Sequence, residues 1–297
     1  MDAIQKFLDY LKVEKNYSSH TLMAYKNDLV GFEDYLQQNK PDTSIVKTTY
    51  SSCRAWFVEL SQQGLENRSI NRKISTLRSF YSFLLKIREI EKSPLSQHKP
   101  IKVKKNLRVP FSKEEMKRVF DSLPNNSFSA SRDRLLIELL YATGMRRGEL
   151  MNLRLENLDL EQMTVNVLGK RNKERRIPLL NRLVFPIEAY LNFREKHLSQ
   201  LKKGSSYLFI TDKGNPVYAK WVYKKVNQIF RTFSQKKVCS PHILRHSFAT
   251  HLLTEGANIQ EIKELLGHSS LASTEVYAKN DIQGLRKVYL SAHPRSK

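Results

Sequence analysis

The chain has 297 residues, 40% of them apolar and 10% aromatic, which suggests about two domains and excludes a disordered tail. Against 29 Asp/Glu stand 51 Lys/Arg, a formal charge of +22, and such an excess points to a polyanionic partner. Two cysteines, Cys53 and Cys239, cannot build a disulfide framework or a four-cysteine zinc site. There is no apolar run near 18 residues, and the charged, amphipathic start does not resemble a signal peptide, so a reduced cytoplasmic protein with no membrane partner is expected.

The charge is uneven. Residues 1–100 carry 15 Lys/Arg and 11 Asp/Glu, a net of +4, whereas residues 101–297 carry 36 and 18, a net of +18. In the first part, Ile4, Phe7, Leu8 and Leu11 repeat at helical spacing. A second helix follows Ser18–Ser19, with Leu22, Tyr25, Leu29, Phe32 and Leu36. A third runs from Thr49 to Gln63 and stops at Gly64. The fourth is predicted over Asn67 to Ile90, with Ile70, Ile74, Leu77, Tyr81 and Leu84 on one stripe. Arg68, Arg72, Lys73 and Arg78 lie off that stripe and are candidates for contact with DNA, or for a merely solvated face. The stretch Ser93 to Pro110 holds three prolines with Lys102, Lys104 and Lys105. It reads as an extended basic linker, either a solvated hinge or a tether along a phosphate backbone.

The second part reads as mostly helical with a small antiparallel sheet. Ser112 and Glu115 form a capping box ahead of a helix to Leu123, and Arg132 to Ala142 is a strongly apolar helix. MTVNVL (163–168) alternates, and ERRIPLL (174–180) follows after five residues. Together they predict a hairpin whose turn, GKRNK, contains Lys170.

Four clusters could carry chemistry. In TGMRRGELMNL (143–153), Thr143-Gly144 breaks the apolar helix and presents Arg146 at the start of the next, with Glu149 placed to hold its guanidinium. Lys170 projects from the hairpin turn. In SPHILRHSFATHLLTEG (240–256), Ser240 and Pro241 start a helix and Gly256 ends it. His242, Arg245 and His246 share one face there. Histidines four apart could ligate zinc, but Ile243 stands where a metalloprotease helix needs Glu, and an anion site fits better. In NIQEIKELLGHSSLASTEVYAKN (258–280), His268 follows the closing Gly267, and Tyr277 comes nine residues later. The clusters hold cations, histidines and a tyrosine without grouped carboxylates, so a magnesium-dependent nuclease is disfavoured. What remains is a phosphodiester attacked by a tyrosine oxygen, with fixed positive charge in place of a metal.

On these residues the chain resembles the tyrosine recombinases of the phage integrase family, and among them the Xer-type recombinases. TGMRRGEL, GKRNKERRIPL, HILRHSFATHLLTEGANIQEIKELLGHSSL and the late tyrosine carry the likeness. STEVYAKND departs from the usual S-T-T-x-x-Y-T-H, with Ala278 and Lys279 after the tyrosine. The resemblance implies a two-domain C-shaped clamp, mainly α with a small antiparallel β-sheet. A helical, SAM-like core-binding domain would occupy 1–92, the linker 93–110, and an α+β catalytic domain 111–297. A tail, 281–297, would dock on a neighbouring protomer or on its own domain. It implies catalytic roles for Arg146, Lys170, His242, Arg245, His268 and the nucleophile Tyr277, with Glu149 in support, and no metal, ATP or other cofactor. It implies double-stranded DNA with two inverted half-sites as partner. It further implies a homo- or heterotetramer, the latter with a second Xer-like recombinase, activation by a DNA translocase, and work at the nucleoid. The function implied is site-specific strand exchange through a 3′-phosphotyrosine and a Holliday junction, resolving chromosome or plasmid dimers. A mobile-element integrase and a type IB topoisomerase-like enzyme are the alternatives.

Overall fold

The computed structural model describes residues 2–103, 109–169, 174–236, 238–267, 289 and 291–295. The chain divides into two compact units, Met1–Asn106 and Leu107–Lys297. Among the described residues no helix is long and apolar enough to cross a membrane.

The first unit is a four-helix bundle of α1 (Ala3–Val13), α2 (Ser19–Asn39), α3 (Tyr50–Gln62) and α4 (Asn67–Lys86). Asp2, Ser18 and Thr49 cap the first three, each accepting a backbone N–H of the first turn. α4 packs on all three others, and its stripe Ile70, Ile74, Leu77, Phe80, Tyr81 and Leu84 is fully buried. At about 1.5–3 kcal/mol per buried large side chain, that stripe contributes a substantial share of the bundle's cohesion. α4 ends at Lys86 and not at Ile90, because Arg88 turns into the left-handed region at φ 56°.

The stretch read as an extended linker is, from Ser93 to Val103, laid against this bundle. Leu95 is buried in its core. The Asn71 amide imitates a strand partner, donating to the Ile101 carbonyl (2.7 Å) and accepting its N–H (2.9 Å). Asn67 donates to the Lys102 carbonyl (3.0 Å), and Arg78 donates to that of His98. Two side-chain amides thus satisfy a backbone that the prolines keep out of helix.

In the second unit, α5 (Lys113–Ser122) begins with the expected Ser112–Glu115 capping box. The central α6 (Phe128–Thr143) starts one turn earlier than its apolar run, at the cap Ser127, and is buried along most of its length between α8 (Val184–Leu201) and α10 (Pro241–Thr254). The sheet is antiparallel in the order β1 (Leu158–Asp159), β2 (Thr164–Leu168), β3 (Glu174–Pro178), with Val165 opposite Ile177 and Val167 opposite Arg175. The expected hairpin is β2–β3, and its turn, with Lys170, lies outside the described residues. Further helices among the described residues are α7 (Arg147–Asn152), α9 (Ala219–Arg231) and α11 (Ile259–Leu266). Ser240 takes the cap position of α10 without a side-chain bond to the first turn.

Of the apolar tail positions, Ile282, Leu285, Val288 and Leu290 lie outside the described residues. Tyr289 is fully buried in the second unit's core, where its hydroxyl donates to the Ala142 carbonyl (2.7 Å). His293 meets the Tyr141 ring edge to face and lies tilted beside Phe248, and Arg295 lies over the Phe120 ring at 3.6 Å. Burial holds the His293 imidazole down to about 3, neutral at any physiological pH.

Gly144, which ends α6, fixes where Arg146 emerges. Its φ is 58°, and an added Cβ would stand 2.3 Å from Phe248 Cδ1 and 2.9 Å from Leu266 Cδ2. Gly144→Ala therefore combines left-handed strain with overpacking and should cost about 2–5 kcal/mol. Urea unfolding of the full chain checks this, and an unchanged midpoint would refute it.

Candidate active site

The αL turn at Gly144 passes directly into Arg146, the N-cap of α7. Glu149, in the first turn of α7, folds back on it. One carboxylate oxygen accepts the Arg146 backbone N–H (2.7 Å) and the other accepts Arg146 Nη1 (2.8 Å). Glu149 thus accepts from both the backbone and the side chain of Arg146, which donates both bonds. Arg146 remains partly exposed, while Glu149 is buried.

Arg245 lies on the buried side of α10, one turn in from Pro241. Its Nη1 donates to the Gly144 carbonyl and its Nη2 to the Leu266 carbonyl, both at 2.7 Å. Arg146 Nη2 reaches the next carbonyl, that of Gly267, at 3.4 Å. Both arginines therefore converge on the carboxyl end of α11, where a helix leaves its last carbonyls without internal partners and carries a partial negative charge. Gly267 closes that helix at φ 64°. His268 follows it in the chain.

A third guanidinium completes the cluster. Arg175 of β3 grips Glu149 with both nitrogens (Nη1–Oε1 3.0 Å, Nη2–Oε2 2.8 Å), and its Nε donates to the Leu265 carbonyl (3.0 Å). Sequence reasoning passed over Arg175. The signal was the strand period, which puts Arg175 on the same face as buried Ile177. Three arginines and one carboxylate leave the cluster with a formal net charge of +2.

The electrostatics follow from this packing. Burial lowers the Arg245 guanidinium to about 10, aided by repulsion from Arg146 and Arg175 and opposed by Glu149. It stays protonated at neutral pH. Burial pushes the Glu149 carboxyl up, but its bonds to Arg175 and Arg146 outweigh that and hold it below the usual carboxylate range.

His242 and His246 are exposed on the first turns of α10, above buried Arg245. Lys170, His268 and Tyr277, and the linker's Lys104 and Lys105, lie outside the described residues. In the first unit, Arg68 and Lys102 are exposed. Arg72 and Lys73 instead bind the buried Asp28, which also accepts the Thr76 hydroxyl (2.9 Å). With Arg78 held on His98, three of the four α4 cations considered for DNA contact have internal partners.

Comparison with known proteins places this geometry. The phage integrase family model matches residues 100–283, and the phage integrase N-terminal SAM-like domain matches residues 4–87. The chain belongs to the phage integrase family. It is 40% identical to the tyrosine recombinase XerC of Staphylococcus haemolyticus over 298 residues, covering 100% of this chain and 99% of that one. It is 36% identical to XerC of Bacillus subtilis strain 168, covering 99% and 96%. Among solved structures, XerH bound to a palindromic difH substrate in a post-cleavage complex aligns at TM-score 0.69 with 23% identity, covering 96% of this chain and 82% of that one. The Tn1549 transposon integrase in complex with transposon right-end DNA aligns at 0.68 with 19% identity, covering 91% and 92%. This family member is thus a tyrosine recombinase of the XerC type, an enzyme that cleaves and rejoins DNA.

Glu149 links charge to stability. Its folded carboxyl lies below its ordinary 4.5, so its contribution is fully present above that pH and is lost as pH falls through the lower, folded value. Glu149→Gln should lower stability at pH 7 and flatten the fall of stability below pH 4.5. Denaturant unfolding at a series of pH values reads this directly, and parallel curves for the two proteins would contradict it.

Proposed function

We propose that this recombinase performs site-specific strand exchange through a covalent link between Tyr277 and DNA. The observation that carries the proposal is the meeting of Arg146 and Arg245 at the carboxyl end of α11, immediately before His268 in the chain. Two guanidiniums held by backbone carbonyls and by Glu149 form a pre-organised cation pair suited to the non-bridging oxygens of one phosphate. Fixed donors of this kind stabilise a pentacoordinate transition state without reorganising, and removal of one typically costs about 10²–10³ in rate.

In this reading Tyr277 attacks the phosphorus and forms a 3′-phosphotyrosine while the bond to the 5′-oxygen breaks. Lys170 gives the departing 5′-oxygen its proton, His242 takes the phenolic proton, and His268 hydrogen-bonds the phosphate. A phenol of ordinary pKa near ~10 needs such cationic surroundings to act at neutral pH. The ester conserves the phosphodiester energy, so a 5′-hydroxyl from a partner strand can reverse the step. The reaction then proceeds by way of a Holliday junction.

The biological setting belongs to the same proposal. The substrate is a site of two inverted half-sites held by a homo- or heterotetramer, with a DNA translocase activating the exchange. The outcome is resolution of chromosome or plasmid dimers in the cytoplasm, at the nucleoid. Arg68, Lys102, Lys104 and Lys105 contribute phosphate contacts, with Arg72, Lys73 and Arg78 supporting from their internal pairs. The XerC relatives and the excess of positive charge support this setting.

A suicide substrate, nicked so that the cleaved end diffuses away, tests the chemistry. Tyr277→Phe should bind DNA as the unmodified chain does and yield no covalent adduct. Lys170→Ala should lose about 10²–10⁴ in rate and recover on a 5′-phosphorothiolate, whose leaving group needs no proton. A normal adduct yield in the phenylalanine variant would move the nucleophile elsewhere.

A further inference from the structure

Arg175 touches three parts of the second unit that are distant in sequence. Its backbone lies in β3 opposite Val167, in the hairpin whose turn carries Lys170. Its guanidinium forms a two-pronged pair with Glu149, and its Nε holds the Leu265 carbonyl at the end of α11. The pocket end is closed tightly around it. A Cβ on Gly267 would lie 3.0 Å from Arg175 Nη1, at a φ of 64°.

This geometry sets what Glu149 can do. A carboxylate serving Arg146 alone would be free to rotate and would largely cancel that arginine's charge. With both oxygens gripped by Arg175, the carboxylate plane is fixed, so that one oxygen meets the Arg146 N–H and the other meets Nη1. The added cation also offsets the carboxylate and keeps the cluster positive. From the other side, Arg175 secures the same helix end that receives Arg146 and Arg245.

We infer that Arg175 is a positioning residue for strand cleavage, acting through Glu149 to orient Arg146 toward the scissile phosphate. The inference rests on the strand-cleavage reading above. Lysine cannot replace it fully, since an ammonium offers a point charge in place of a planar fork.

The test uses the full chain, with single-turnover adduct formation on the suicide substrate and separate measurement of DNA affinity. Arg175→Gln should slow adduct formation about 100-fold and change Kd less than about threefold, and Arg175→Lys should slow it about tenfold. The Glu149→Gln/Arg175→Gln double variant should be no slower than the slower single variant by more than about threefold, because both changes break one linkage. The Arg175→Gln deficit should persist on the 5′-phosphorothiolate, which bypasses Lys170. Multiplicative losses in the double variant, full rescue by the phosphorothiolate, or undiminished rates in both Arg175 variants would each overturn the inference while leaving strand cleavage standing. No adduct from the unmodified chain would overturn the strand-cleavage reading, and this inference with it.

Discussion

The unsatisfied carbonyls at the end of α11 are the constraint on which the site depends. A helix of eight residues leaves its last carbonyls without intrahelical partners, and here Leu265, Leu266 and Gly267 each receive a different arginine. Bringing guanidiniums together is costly. Two unit charges 4 Å apart repel by about 4 kcal/mol at an effective dielectric of 20. Glu149 and the helix end supply the compensating negative charge, which lets Arg245 be buried and still remain ionised. The pocket is thus assembled by backbone geometry first, with the side chains following it.

The bundle at the other end of the chain uses a related device. Asp28, almost wholly buried, gathers Arg72, Lys73 and Thr76 from α4, and Lys73 also rests over the Trp56 ring at 5.4 Å. A single carboxylate therefore orders part of the basic face of α4 from beneath. In both units a buried acid organises exposed or half-buried cations without neutralising them. That suits a surface whose cations must stay fixed while meeting a polyanion.

Much of this was legible before any coordinates. Apolar periodicity located the four helices of the first unit, and local chemistry located helix ends, as with Ser112–Glu115 and the glycines at 144 and 267, whereas α8 and α9 were not singled out. The misses have physical causes. β1 has only two residues, too few for alternation to register, and its pairing is decided by β2. α4 stops early because of a single left-handed residue. The docking of residues 93–103 depends on Asn67 and Asn71 acting in place of backbone, a role that polar composition does not disclose. Asp28 and Arg175 were hidden for the same reason. A charged residue in a basic, soluble-looking segment is read as solvated unless its helical or strand phase is followed inward.

The tail has a consequence for how its loss would be understood. Tyr289 is bonded to Ala142, two residues before the glycine whose carbonyl Arg245 grips, and His293 and Arg295 cover Tyr141, Phe248 and Phe120. A chain cut short of residue 289 would open a tyrosine-sized void beside the turn that presents Arg146. Such a truncation would weaken the scaffold of the reaction centre from behind, so inactivity in a shortened protein would be no measure of lost contact between subunits.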